Sequence, residues 1–123
     1  MTVKTGIILC AGLGKRLNPI TLEKPKPLLK LNNITLLENT IKFIKELGVE
    51  KIFINTFYFK DQIKDYLKNH NFNISIEEIE DGKNILDTGG GIKNIMNFTD
   101  EKNFFIFNPD TIWNIHYLKC IKE

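Results

Sequence analysis

This chain of 123 residues is short of several residue types. It holds two cysteines, two histidines, one tryptophan and four prolines, and its net charge is only +2. Cys10 and Cys120 stand at opposite ends of the sequence, a spacing that excludes a cysteine metal knuckle and a disulfide-dense scaffold. A reduced pair is expected, with Cys10 acting as a small apolar residue where a strand meets its loop. His70 and His116 have no ligand-spaced partners and read as surface or helix-end residues. The small net charge gives no ground for nucleic acid or an anionic membrane as the main partner. The apolar run from Gly6 to Leu13 is too short to span a bilayer, and no small-residue cleavage pattern follows it. It reads as a core strand of a cytoplasmic protein. Repeats, low-complexity tracts and linkers are absent too. Apolar residues are not scarce: they make up 42% of the chain, with 11% aromatic, which suits one domain around one core.

The pattern of those apolar residues predicts alternating elements. Residues 5–10 are apolar at consecutive positions, as in a strand buried on both faces of a parallel sheet. Residues 11–33, interrupted by Pro19, Pro25 and Pro27, read as one long loop, a length that points to function. Thr35-Leu36-Leu37-Glu38 is a capping box, opening a helix with Leu37, Ile41, Ile44 and Leu47 inward and Gly48 at its end. Strands are expected at 51–56, 73–79 and 103–108. Helices are expected at 60–70, after the glycines 89–91, and around Ile115, Leu118 and Ile121. Tyr58, Trp113 and Tyr117 read as residues that fill space between elements. This alternation predicts an α/β, Rossmann-like layered domain with a mainly parallel sheet flanked by helices. In such sheets a ligand sits at the carboxyl ends of the strands.

The chemistry concentrates in the long loop. Cys10-Ala11-Gly12-Leu13-Gly14-Lys15-Arg16 combines bare backbone with two cations, and Lys26 follows between Pro25 and Pro27. Backbone N–H groups of a glycine loop approach phosphate oxygens closely, and the cations add full charge to the same place. The pattern suits a nucleoside triphosphate. It is not the dinucleotide fingerprint, which needs a small residue where Leu17 stands and an uninterrupted helix where Pro19 stands. It is not the Walker loop, which needs glycine at Leu9 and Ser or Thr at Arg16.

The stretch resembles the sugar-phosphate nucleotidyltransferases. The matching residues are Ala11-Gly12-Leu13-Gly14-Lys15-Arg16-Leu17, Pro19-Ile20-Thr21 and Pro25-Lys26-Pro27-Leu28. Ile54-Asn55, Leu86-Asp87-Thr88-Gly89-Gly90-Gly91-Ile92 and Asn108-Pro109-Asp110 extend the match over nearly the whole chain. The glycine triplet is similar to that of the muramate-1-phosphate uridylyltransferase and mannose-1-phosphate guanylyltransferase branch. The resemblance implies a nucleotidyltransferase-type fold, with residues 1–123 forming the nucleotide-binding part of a longer domain, truncated relative to the family. It implies attack of a sugar 1-phosphate on the α-phosphorus of a nucleoside triphosphate, UTP favoured over GTP, with release of pyrophosphate. Arg16, Lys26 and Asp110 are then the catalytic candidates, Asp110 as the ligand of a Mg²⁺ cofactor. Leu9, Ala11, Gly12, Gly14, Lys15, Arg16, Lys26, Thr88, Gly89, Gly90 and Asn108 are the nucleotide-binding candidates.

Two departures from the family pattern qualify the resemblance. Pro109 stands where the family has a small residue, and the family's sugar site and second metal aspartate lie beyond the region matched here. A homo-oligomer or a completing chain is therefore expected for activity. The alternatives are a relative that binds nucleotide without catalysis and, against Leu17 and Pro19, a nicotinamide-binding module.

Overall fold

The apolar run Thr5-Gly6-Ile7-Ile8-Leu9 forms β1 (Thr5–Leu9), the hub of a four-stranded parallel sheet. The computed structural model describes residues 3–12, 22–82 and 88–109. Strand β1 pairs on one side with β4 (Lys51–Thr56), which pairs in turn with β5 (Ser75–Glu80). On its other side it pairs with β6 (Phe105–Phe107), giving the order β5-β4-β1-β6. The expected α/β architecture with a parallel sheet is therefore present.

Consecutive apolar residues on β1 serve opposite faces of the sheet. Ile8 joins the core under helix α1 (Leu36–Glu46) and helix α2 (Lys60–Asn69), with Leu37, Ile41, Ile44, Ile54 and Ile63. Ile7 joins Phe53, Ile79 and Ile95, the last from helix α3 (Thr88–Met96) on the far face. Gly6 lets α1 lie close: a Cβ there would stand 3.3 Å from Ile44 Cγ2. The crossovers through α1 and α2 step away from β1 in one direction. The crossover through α3 returns to β1's other side, so the strand order reverses between β1 and β6. Parallel crossovers keep one hand, which puts α3 on the opposite face and opens a crevice at that reversal.

Helix α1 starts as its capping box predicts. Thr35 Oγ1 accepts from the Glu38 N–H at 3.0 Å and also lies 2.9 Å from the Tyr66 hydroxyl of α2. Gly48 follows its end with φ of +86°, the left-handed conformation that terminates helices.

Four expectations need correction. Residues 11–33 are not all loop: a 3₁₀ turn spans Lys26–Leu28, and β2 (Lys30–Leu31) pairs antiparallel with β3 (Ile34–Thr35). Asn32 and Asn33 have φ of 54° and 66°, the two positive values of a type I′ hairpin turn. Strand β5 begins at Ser75 rather than at residue 73, because Asn73 is left-handed (φ 57°) and donates its N–H to Asn71 Oδ1 at 2.9 Å. The glycines do not precede α3 but lie in its first turn. Strand β6 is also shorter than 103–108, pairing only along Gly6–Ile8 before Pro109, which has no N–H to donate. The expected terminal helix, with Trp113, His116, Tyr117 and Cys120, lies outside the described residues.

Candidate functional site

At the reversal point between β1 and β6, the carboxyl ends of both strands frame a cavity of about 180 Å³. Leu9, Cys10 and Gly12 line it from the end of β1 and the residues after it, Asn108 and Pro109 from just past β6, and Lys26 and Pro27 from the 3₁₀ turn. Among the described residues, Lys26 is the charged side chain in this lining. Pro25 and Pro27, both buried, hold the turn against α1, so the backbone that carries Lys26 has little freedom. The turn closes through Leu28 N–H to Pro25 O at 3.0 Å and Leu29 N–H to Lys26 O at 3.1 Å.

The cavity therefore brings together Leu9, Gly12, Lys26 and Asn108, residues separated by up to ninety-nine positions in the chain. Ala11 is buried between Cys10 and Gly12, at 4% exposure. Thr88, Gly89 and Gly90 occupy the first turn of α3. Gly14, Lys15, Arg16 and Asp110 lie outside the described residues. Burial pushes the Cys10 thiol far above its ordinary range, so it stays protonated and serves the core rather than any reaction. Among the described residues, no group of three or more His, Cys, Asp or Glu is arranged to hold a metal. No helix among them is long and apolar enough to cross a membrane.

Behind the cavity lies a polar arrangement that sequence reasoning missed. Asn55 ends the apolar part of β4 and is 3% exposed; its Oδ1 accepts from the Cys10 N–H at 2.7 Å. Its Nδ2 lies 3.5 Å from Oδ1 of Asp81, which follows β5. Asn55 falls in a matched motif, but nothing local shows what it bonds to. The available signal was an amide directly after the apolar run Ile52-Phe53-Ile54.

The chain belongs to the nucleotidyl transferase family. The family match runs over residues 5–123. A D-glycero-α-D-manno-heptose 1-phosphate guanylyltransferase of Aneurinibacillus thermoaerophilus is 35% identical over 118 residues, covering 95% of this chain and 50% of that protein. An N-acetylmuramate α-1-phosphate uridylyltransferase of Caulobacter vibrioides is 31% identical over 120 residues, covering 92% of this chain and 48% of the relative. The crystal structure of HddC from Yersinia pseudotuberculosis superposes with a TM-score of 0.82 at 30% identity, over 98% of this chain and 53% of that one. The chain thus spans about half the length of the curated relatives it matches. The resemblance to sugar-phosphate nucleotidyltransferases, as an N-terminal part, holds.

Proposed function

We propose that residues 1–123 form the nucleotide-binding part of an enzyme that transfers a nucleoside monophosphate from a nucleoside triphosphate to a sugar 1-phosphate. The observation that carries this reading is the shared cavity: the start of the glycine loop and Lys26 meet at the strand-order reversal. In the reaction, a phosphate oxygen of the sugar 1-phosphate forms a bond to the α-phosphorus, and the bond to the β-phosphate oxygen breaks, releasing pyrophosphate. The nucleophile is already an anion, so no general base is needed. The protein must align the phosphates and neutralise the charge they gather. Lys26 would offset negative charge at the cavity, and Arg16 would hold the β and γ phosphates. Backbone N–H groups around Gly12 and Gly14 would take phosphate oxygens, with Lys15 beside them. Thr88, Gly89 and Gly90 would meet the base or ribose from the start of α3.

Asp110 would hold Mg²⁺. It follows directly on Asn108 and Pro109, which line the cavity, and a single carboxylate together with substrate phosphates is a donor set magnesium accepts. The ion would supply further neutralisation of the triphosphate when bound. The two relatives named above differ in base, one guanylyl and one uridylyl, so the preference for UTP over GTP goes to experiment. The sugar 1-phosphate, a cytoplasmic location and completion by a second copy or another chain belong to the same proposal.

Pyrophosphate release should be followed with Mg²⁺, UTP or GTP, and a panel of sugar 1-phosphates. Release that depends on both substrates supports the reading. Triphosphate binding by calorimetry without turnover would instead support a binding-only relative, the second reading. No binding of any triphosphate would overturn both.

A further inference from the structure

The side-chain amide of Asn55 sits where three parts of the fold converge. From the residue just after β1 comes the Cys10 N–H, 2.7 Å from its Oδ1. From the end of β5 comes Asp81 Oδ1, 3.5 Å from its Nδ2, on a residue itself only 8% exposed. From α3 comes Gly91, where a Cβ would lie 2.7 Å from Nδ2. The orientation of the amide follows from its neighbours, because an N–H needs the oxygen opposite it and a carboxylate needs the NH₂. A primary amide in this setting is costly unless both ends are engaged, and Ile or Val would fill a parallel strand more cheaply. Its engagement at both ends argues that the position is occupied for what it holds in place.

What it holds is the entry to the glycine loop. Cys10 is the first residue after β1, and it lines the same cavity as Gly12 and Lys26. Loop N–H groups serve an anion well only when they are already aimed at it, since aiming them on binding subtracts from affinity. We propose that Asn55 is a positioning residue for the triphosphate. By fixing the Cys10 N–H it sets the direction in which the loop leaves β1. Through Asp81 and the closely apposed Gly91 it registers that loop against α3. It acts through Cys10 rather than on the ligand, and the proposal rests on the triphosphate reading of the cavity.

The test uses the full chain, calorimetric titration with Mg-UTP and Mg-GTP, and amide hydrogen exchange at Cys10. Asn55→Leu removes the acceptor. Asn55→Asp keeps an acceptor but sets two buried carboxylates against each other. The double variant Asn55→Asp/Asp81→Asn exchanges the partners, so the new carboxylate accepts from both the Cys10 N–H and the new amide. Asn55→Leu loses one hydrogen bond from a preorganised site, and in Asn55→Asp repulsion from Asp81 turns the carboxylate away from Cys10, so each should bind triphosphate about tenfold more weakly. The exchanged pair should return to within about threefold of wild type. Cys10 exchange should quicken in the single variants while the amides of β4 and α1 stay protected, an outcome that general loosening of the fold would not give. Should the single variants fail to fold, Gly91→Ala reaches the amide from α3 and should give the same weaker binding and faster Cys10 exchange. Wild-type binding with unchanged affinity in folded Asn55→Leu or Gly91→Ala, or no rescue in a folded exchanged pair, overturns the proposal alone. No triphosphate binding by the wild type overturns the cavity reading and this proposal with it.

Discussion

Lys26 shows what a side chain gains from a constrained backbone. A lysine on a free loop carries about 2 kcal/mol of rotamer entropy, and much of that is lost when it grips a phosphate. Here Pro25 and Pro27 fix the backbone on either side, and the turn between them lines the cavity. Lys26→Ala should weaken triphosphate binding roughly ten- to hundredfold, the range for a lost hydrogen bond to a charged group. Calorimetry on the folded variant measures it, and an unchanged affinity would remove Lys26 from the site. The placement of Lys26 was legible because its signal is local: proline, lysine, proline, next to a glycine loop. Asn55 and Asp81 were not legible in the same way. Asn55 meets its partner Cys10 forty-five positions away, across a parallel ladder whose register no single segment reveals.

Elements were legible where their signals are intrinsic, and obscured where pairing defines them. The Thr35 cap and the inward face of α1 depend on spacing within one helix, and both appear as expected. The hairpin of β2 and β3 has only two residues per strand, and its alternation is too short to stand out. Its turn was readable in principle, because two asparagines in sequence tolerate the left-handed conformation better than other non-glycine residues. The glycine triplet was misplaced because glycine ordinarily marks a turn. Its place inside α3 follows from the close approach of Gly91 to Asn55, a tertiary demand. Thr35 joins two of these elements, accepting from Glu38 N–H and meeting the Tyr66 hydroxyl of α2. Thr35→Ala should therefore cost more than an isolated cap. The cap alone is worth about 1 kcal/mol, and the half-buried Tyr66 hydroxyl, left with only its 3.5 Å bond to Glu38 Oε1, adds a smaller further cost. Urea denaturation should show a lower midpoint with an unchanged slope; Thr35→Ser, which keeps the hydroxyl, should recover most of the difference.

Across the molecule, the sheet and its two apolar cores follow from the consecutive apolar strands, while the charged surface sets how stability responds to pH. On that surface α2 is tied to β5 through acidic residues. Lys64 pairs with Glu80 and lies 3.8 Å from Glu78, and Lys60 lies 3.3 Å from Glu80. The hydrogen bonds from Lys64 and then Lys60 hold the Glu80 carboxyl below its ordinary value, and the bond to Glu80 holds the Lys64 ammonium above its own. A carboxyl with a depressed folded pKa adds stability that is complete above its unfolded value, about 4.3, and is lost as pH falls through the folded value. An ammonium with a raised pKa adds stability that is complete below about 10.4 and is lost as pH rises through the folded value. The link is thus whole at neutral pH and fails at both extremes. Both groups are open to solvent, so the effect is small and screened by salt. Glu80→Gln should flatten the acid limb of the stability curve between pH 6 and about pH 3, where carboxylates titrate, while leaving stability near neutrality only slightly lower. Urea midpoints across that range, at low salt and again at about 1 M NaCl, where the Debye length shrinks to roughly 3 Å, check the sign. Wild type and variant should converge at high salt, and an acid limb as steep in the variant as in the wild type would place the acid sensitivity elsewhere than at the join between α2 and β5.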